Sequence, residues 1–125
     1  MTNLSYAIVF VSDMGKSVAF YRDWLGLKLK MESPEWSEFD TGSCTLALHK
    51  AAPGTVPEVQ RNQIPAGHMH CGFVVSGIDA FAAKMEAAGV PVMEPVAMQD
   101  FGAKMGVWRD PDGVPVSVIA FPPEF

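Results

Sequence analysis

From Leu4 to Val11 the chain reads LSYAIVFV, a short β-rich run with Tyr6, Ile8 and Phe10 on one face and Ala7, Val9 and Val11 on the other. Ser12-Asp13 then supplies an N-cap. Met14, Val18, Tyr21 and Leu25 recur at i, i+4, i+7 and i+11, which predicts a helix closed by Gly26 in the left-handed conformation. Leu27 to Met31 alternates as a half-buried strand, and Ser33-Pro34 breaks it. Trp36–Asp40 and Cys44–Lys50 form a hairpin around Thr41-Gly42-Ser43. The order is strand, helix, then three strands.

Residues 51–67 carry three prolines and two glycines with little periodicity and read as a linker. After them the order repeats. His68–Val75 is a strand, and Asp79–Ala88 a helix with Ile78, Phe81, Ala82 and Met85 as its apolar stripe and Gly89 as its stop. Val90–Met98 is an edge or irregular strand, because Pro91 and Pro95 interrupt it. Asp100-Phe101-Gly102 turns into Lys104–Arg109. Asp110-Pro111-Asp112-Gly113 then has the residues of a tight turn, and Val116, Val118 and Ala120 alternate with Ser117, Ile119 and Phe121 along a final strand. The chain thus contains two βαβββ modules, residues 4–50 and 68–121, within one 125-residue domain.

One helix covers only one face of a four-stranded sheet. Ala7, Val9, Val11, Leu46 and Leu48 face the helix in the first module; Cys71, Phe73, Val75, Val116 and Val118 do so in the second. The opposite faces carry Tyr6, Ile8, Phe10, Thr45, Ala47 and His49, and His70, Gly72, Val74, Ser117, Ile119 and Phe121. These are aromatic and apolar with a few polar atoms, a composition suited to the wall of a ligand pocket.

Composition narrows the function. The chain is 49% apolar and 18% charged, so it is not disordered. Its net charge of −5 and pI near 5.0 repel phosphate backbones and anionic membranes, so neither nucleic acid nor a membrane is an expected partner. No apolar run approaches the roughly 20 residues of a membrane span, and no basic stretch precedes an apolar one at the N-terminus as an export signal requires. Cys44 and Cys71 lack metal-type spacing and read as small buried thiols of a reducing cytoplasm.

Doubled βαβββ modules resemble the vicinal oxygen chelate superfamily of glyoxalase I, bleomycin-resistance proteins and extradiol dioxygenases. SDMGKSVAFYRDWLGLKL is similar to that family's opening helix segment, EWSEFDTGSCTLALHK to its first-module hairpin and RDPDGVPVSVI to its closing turn and strand. The resemblance covers the chain apart from the linker. It implies an α+β fold in which two βαβββ modules form a curved mixed β-sheet cleft with the helices outside, and pairing as a homodimer.

In the enzymes of that family a divalent metal is held by His or Glu on the first and last strands of each module. The matching residues are Tyr6, Ala47, His70 and Ser117, and only His70 is an ordinary ligand. His68, two residues before His70, and His49, two after Ala47, are the substitutes for a displaced three-histidine site. Ser117 with His70 has the residue types of a nucleophile and base but no orienting acid, and no phosphate-binding glycine loop is present. Asp110 and Asp112 read as turn residues. The expected ligand-binding residues are Tyr6, Trp36, Ala47, His49, His70, Phe101, Trp108 and Ser117, with Phe101 as a ligand-facing lid; Trp108 has packing under the helix as its alternative. Two readings follow: a protein without metal or other cofactor that sequesters a small apolar or aromatic ligand, or a metal-dependent lyase, isomerase or dioxygenase with a non-standard site.

Overall fold

The computed structural model describes residues 1–54 and 63–125. The chain divides into two compact units, residues 1–56 and 57–125. Part of the expected 51–67 linker, residues 55–62, lies outside the described residues.

The first unit contains β1 (Tyr6–Val11), α1 (Met14–Ala19), a π-helical turn (Phe20–Trp24), β2 (Lys28–Met31), β3 (Trp36–Asp40) and β4 (Thr45–Lys50). Asp13 caps α1 by accepting the Lys16 N–H at 3.1 Å. The sequence pattern predicts one regular helix to Leu25, but the last turn widens: the Leu25 N–H reaches the Phe20 carbonyl at 3.0 Å and the Leu27 N–H the Tyr21 carbonyl at 2.9 Å. The wide turn buries both Phe20 and Tyr21, and Gly26 at φ 83° then reverses the chain. The sheet order is β1-β4-β3-β2, with β1 and β4 parallel and the other pairs antiparallel. Register puts Ala7, Leu46, Phe39 and Leu29 in one row on the helix side, and Val9, Leu48 and Ser37 in the next. Val18, Tyr21, Phe39, Leu46 and Leu48 make the core there.

The second unit repeats the plan with β5 (Gly72–Val74), α2 (Ile78–Ala87), β6 (Val92–Met98), β7 (Lys104–Arg109) and β8 (Pro115–Ala120), in the order β5-β8-β7-β6. Here β5 is shorter than the expected His68–Val75. It pairs in parallel with β8 over Gly72–Val74 only, because Pro115, at the start of β8, has no N–H with which to continue the ladder back past Cys71. Strand β6 lies at the edge with two register shifts, as its prolines predict.

Two ends of structure are held by side chains or by the tail. In the RDPDG turn Asp110 Oδ1 accepts the N–H groups of Asp112 and Val114, both at 2.9 Å, and Arg109 Nη1 donates to the Gly113 carbonyl at 3.2 Å. The Asp110 carboxylate serves the turn, as its setting implies. Helix α2 begins after Gly77 with no side-chain cap; the Gly77 N–H donates to the Glu124 carbonyl at 2.8 Å and the Ile78 N–H to Phe125 O. Ile78, Met85, Val116 and Val118 are buried beneath this helix. Both cysteines are half-buried and neither is in a disulfide. No helix among the described residues is long and apolar enough to cross a membrane.

Candidate functional site

In the first unit the candidate residues lie on the sheet face that the helix leaves open. In the first unit that face has three rows, read across the strands: Tyr6, Thr45 and Asp40; Ile8, Ala47, Glu38 and Met31; Phe10, His49 and Trp36. Tyr6 and Phe10 are 56% and 59% exposed, far more than a core aromatic. The His49 ring stands between two aromatics, 5.2 Å from Phe10 and 5.9 Å from Trp36, edge-on to the latter. Its Nδ1 lies 2.7 Å from the Lys50 carbonyl, which can only accept, so Nδ1 carries the hydrogen and Nε2 is left as an acceptor.

Ala47 is also in this face but has no exposed surface, flanked in register by Ile8 and Glu38, so it forms part of the floor rather than a ligand contact. Glu38 is the residue that sequence reasoning missed. Its Oε2 accepts the Trp36 indole N–H at 2.8 Å, and its Oε1 lies 3.5 Å from Lys30 Nζ. The indole hydrogen bond, then Lys30, holds this carboxyl below the usual carboxylate range against the opposing effect of burial. The alternation of Trp36, Glu38 and Asp40 against Ser37 and Phe39 was the available signal.

In the second unit His70 precedes β5 and reaches across to β8: His70 Nε2 is 3.2 Å from Ser117 Oγ, while its Nδ1 is 3.4 Å from His68 Nε2. Burial, then the neighbouring His68, pushes the His70 imidazole below its ordinary value, so it is neutral at pH 7. A small open cavity of about 200 Å³ lies farther along the same sheet, lined by Glu94, Pro95, Ala97, Gln99, Met105 and Val107. Phe101 is 67% exposed in the β6–β7 turn. Trp108 corrects the expectation of a ligand-binding indole. It is 2% exposed, on the helix side of β7, with Phe81 of α2 edge-on to it at 5.3 Å. It is core, because β7 turns Val107 and not Trp108 to the open face.

The two units place their matched residues alike. Tyr6 lies two residues before Ile8, the register partner of Ala47; His70 lies two before Gly72, the register partner of Ser117. This internal correspondence comes from pairing alone.

A family model for the Glyoxalase/Bleomycin resistance protein/Dioxygenase superfamily matches residues 3–118. The chain belongs to this superfamily. Among curated proteins it is 26% identical over 113 residues to the metallothiol transferase FosB of Lysinibacillus sphaericus, covering 89% of this chain and 77% of that one. Among solved structures, a protein of unknown function from Agrobacterium tumefaciens is 27% identical with a TM-score of 0.75, covering 96% of this chain and 94% of the other. The lactoylglutathione lyase of the same organism is 22% identical with a TM-score of 0.70, at 96% and 94% coverage, which is a likeness of fold.

The matched residues are poorly suited to the divalent metal of the superfamily's enzymes. Ala47 has no donor atom, Ser117 is a neutral hydroxyl already hydrogen-bonded to His70, and Tyr6 carries no charge to offset a dication. Among the described residues no three His, Cys, Asp or Glu side chains come together as a metal would require. The matched set does not fit a divalent ion, and His68 with His70 alone provides two nitrogens rather than a closed site.

Proposed function

We propose that this member of the superfamily binds a small apolar or aromatic molecule on its open sheet faces without a bound metal. The observation that carries the reading is the His70–Ser117 hydrogen bond: the imidazole nitrogen facing the last strand is engaged by a neutral hydroxyl where the resemblance implies a metal-binding His or Glu in the enzymes. On the first unit, Tyr6, Phe10, Trp36 and His49 provide area and ring edges for a flat ligand, each aromatic pairing worth about 0.5–1.5 kcal/mol beyond area burial. Nε2 of His49 is the polar point for a ligand on the first unit, and His70 with Ser117 are those for a ligand on the second. Phe101 is proposed to close over a bound ligand. Exposure of Tyr6, Phe10, Val74 and Phe121 supports self-association as a homodimer, and half-buried thiols support residence in a reducing cytoplasm.

A second reading draws on the FosB likeness, since the name of that protein speaks of metal and thiol: a metal-dependent enzyme with a non-standard site. One experiment separates them. Protein purified without a histidine tag is assayed for metal by elemental mass spectrometry and titrated calorimetrically with Zn²⁺, Ni²⁺, Mn²⁺ and Fe²⁺. The expected result is neither stoichiometric metal nor saturable binding. One tightly held ion per chain, lost on His70→Ala, would overturn the metal-free reading in favour of the second.

A further inference from the structure

The middle row of the first unit's open face contains a carboxylate that its position does not require for folding. Glu38 has Ala47 beside it in register, then Ile8 beyond, with Met31 on its other side. An ionised group among such neighbours costs solvation, yet the Trp36 N–H bond at 2.8 Å holds it in place and ionised. Only one of its oxygens is used in that bond. The other meets Lys30 at 3.5 Å, and the Lys30 side chain is 56% exposed on a bulged edge strand, so this ion pair is loose and readily exchanged. The indole that orients Glu38 also stands edge-on to His49, which contacts Phe10.

We propose that this face selects an organic cation bearing an aromatic ring, with Glu38 as the counter-charge to its ammonium group and Trp36, His49 and Phe10 as the surface for its ring. The proposal rests on the aromatic-ligand reading above and narrows it to a charge class. Charge complementarity decides between occupants. An anion would face the Glu38 carboxylate, whereas a cation replaces Lys30 at Glu38 and gains attraction from the electron-rich ring faces. The net charge of −5 raises the local concentration of cations further.

The test uses a matched pair of probes, benzyltrimethylammonium and its uncharged isostere neopentylbenzene, titrated against the full chain with tryptophan fluorescence and chemical-shift mapping as readouts. The cation is expected to bind about tenfold more tightly than the neutral probe, as a desolvated cation–π contact with a counter-ion implies, and to perturb Trp36 but not the buried Trp108. Glu38→Gln is expected to remove that preference while leaving neutral-probe binding in place. Lys30→Ala is expected to strengthen cation binding by vacating the carboxylate, a change that a purely structural ion pair would not produce. Equal affinities for the two probes, unaltered in Glu38→Gln, would overturn the charge-class inference and leave the aromatic-ligand reading standing. Failure of both probes to bind this face would overturn both.

Discussion

His70 is the residue whose protonation matters most. Its folded-state pKa is depressed by burial and by His68, so the unfolded chain takes up the proton first as pH falls. Stability from this group is therefore complete above about 6.5, the ordinary histidine value, and is lost as pH drops from there through the lower folded value. Urea melts between pH 7.5 and 5 should show a steeper fall for the natural chain than for His70→Gln, and equal slopes would refute the assignment. The two tryptophans should behave oppositely. Trp108→Ala removes a buried indole and should cost about 3–5 kcal/mol, whereas Trp36→Ala, half-exposed on the open face, should cost much less and instead weaken ligand binding. Ser17 offers the reverse case. Its hydroxyl is buried without a hydrogen-bond partner among the described residues, so Ser17→Ala should leave stability unchanged or raise it by about 1 kcal/mol in a denaturant melt.

At the scale of elements, strand β7 depends on one missing methyl group. A Cβ at Gly106 would lie 2.9 Å from Cη2 of Trp108 and 3.0 Å from Cγ2 of Val96. The indole is pinned by Phe81 of α2 and has no room to swing aside. Gly106→Ala should therefore destabilise by about 1–3 kcal/mol, the usual cost of overpacking, with a changed near-ultraviolet signal from Trp108. The helix stops, the edge position of β6 and the DPDG turn were legible in the sequence because each depends on local backbone chemistry: a positive φ at Gly26 and Gly89, absent N–H groups at Pro91 and Pro95, and an Asp side chain within reach of amides two and four residues on. The length of β5 was not. His68–Val75 has strand-like residues throughout, but how far it pairs is decided by β8, where Pro115 offers no donor. The π-helical turn was hidden for a similar reason, since the stripe of Val18, Tyr21 and Leu25 suits a regular helix and says nothing of Phe20 also turning inward.

At the scale of the whole molecule, binding and stability are linked. A ligand that binds only the folded chain adds about 2.7 kcal/mol at a concentration one hundred times its Kd, which for a chain of this size raises Tm by about 10 °C. Saturating aromatic cation should produce such a shift under the proposal above, and millimolar Zn²⁺ or Mn²⁺ should produce none. A metal-induced rise that disappears in His70→Ala would contradict the metal-free reading.

What the amino-acid sequence determined by itself was the doubled strand–helix–strand order and the superfamily, because periodicity and turn chemistry are properties of the residues themselves. What only the tertiary structure decided was which groups meet. Trp108 and Trp36 are both strand residues in sequence, and register with their neighbours sends one under α2 and the other to the open face beside His49. Glu38 was placed beside Ala47 only when β3 paired with β4, whereas its bond to the Trp36 indole lies within β3 itself. His70 and Ser117, 3.2 Å apart, are brought together from distant parts of the chain by the β5–β8 pairing. Side-chain partners across strands are set by pairing register, a property of two segments together, and no single stretch of the chain contains it.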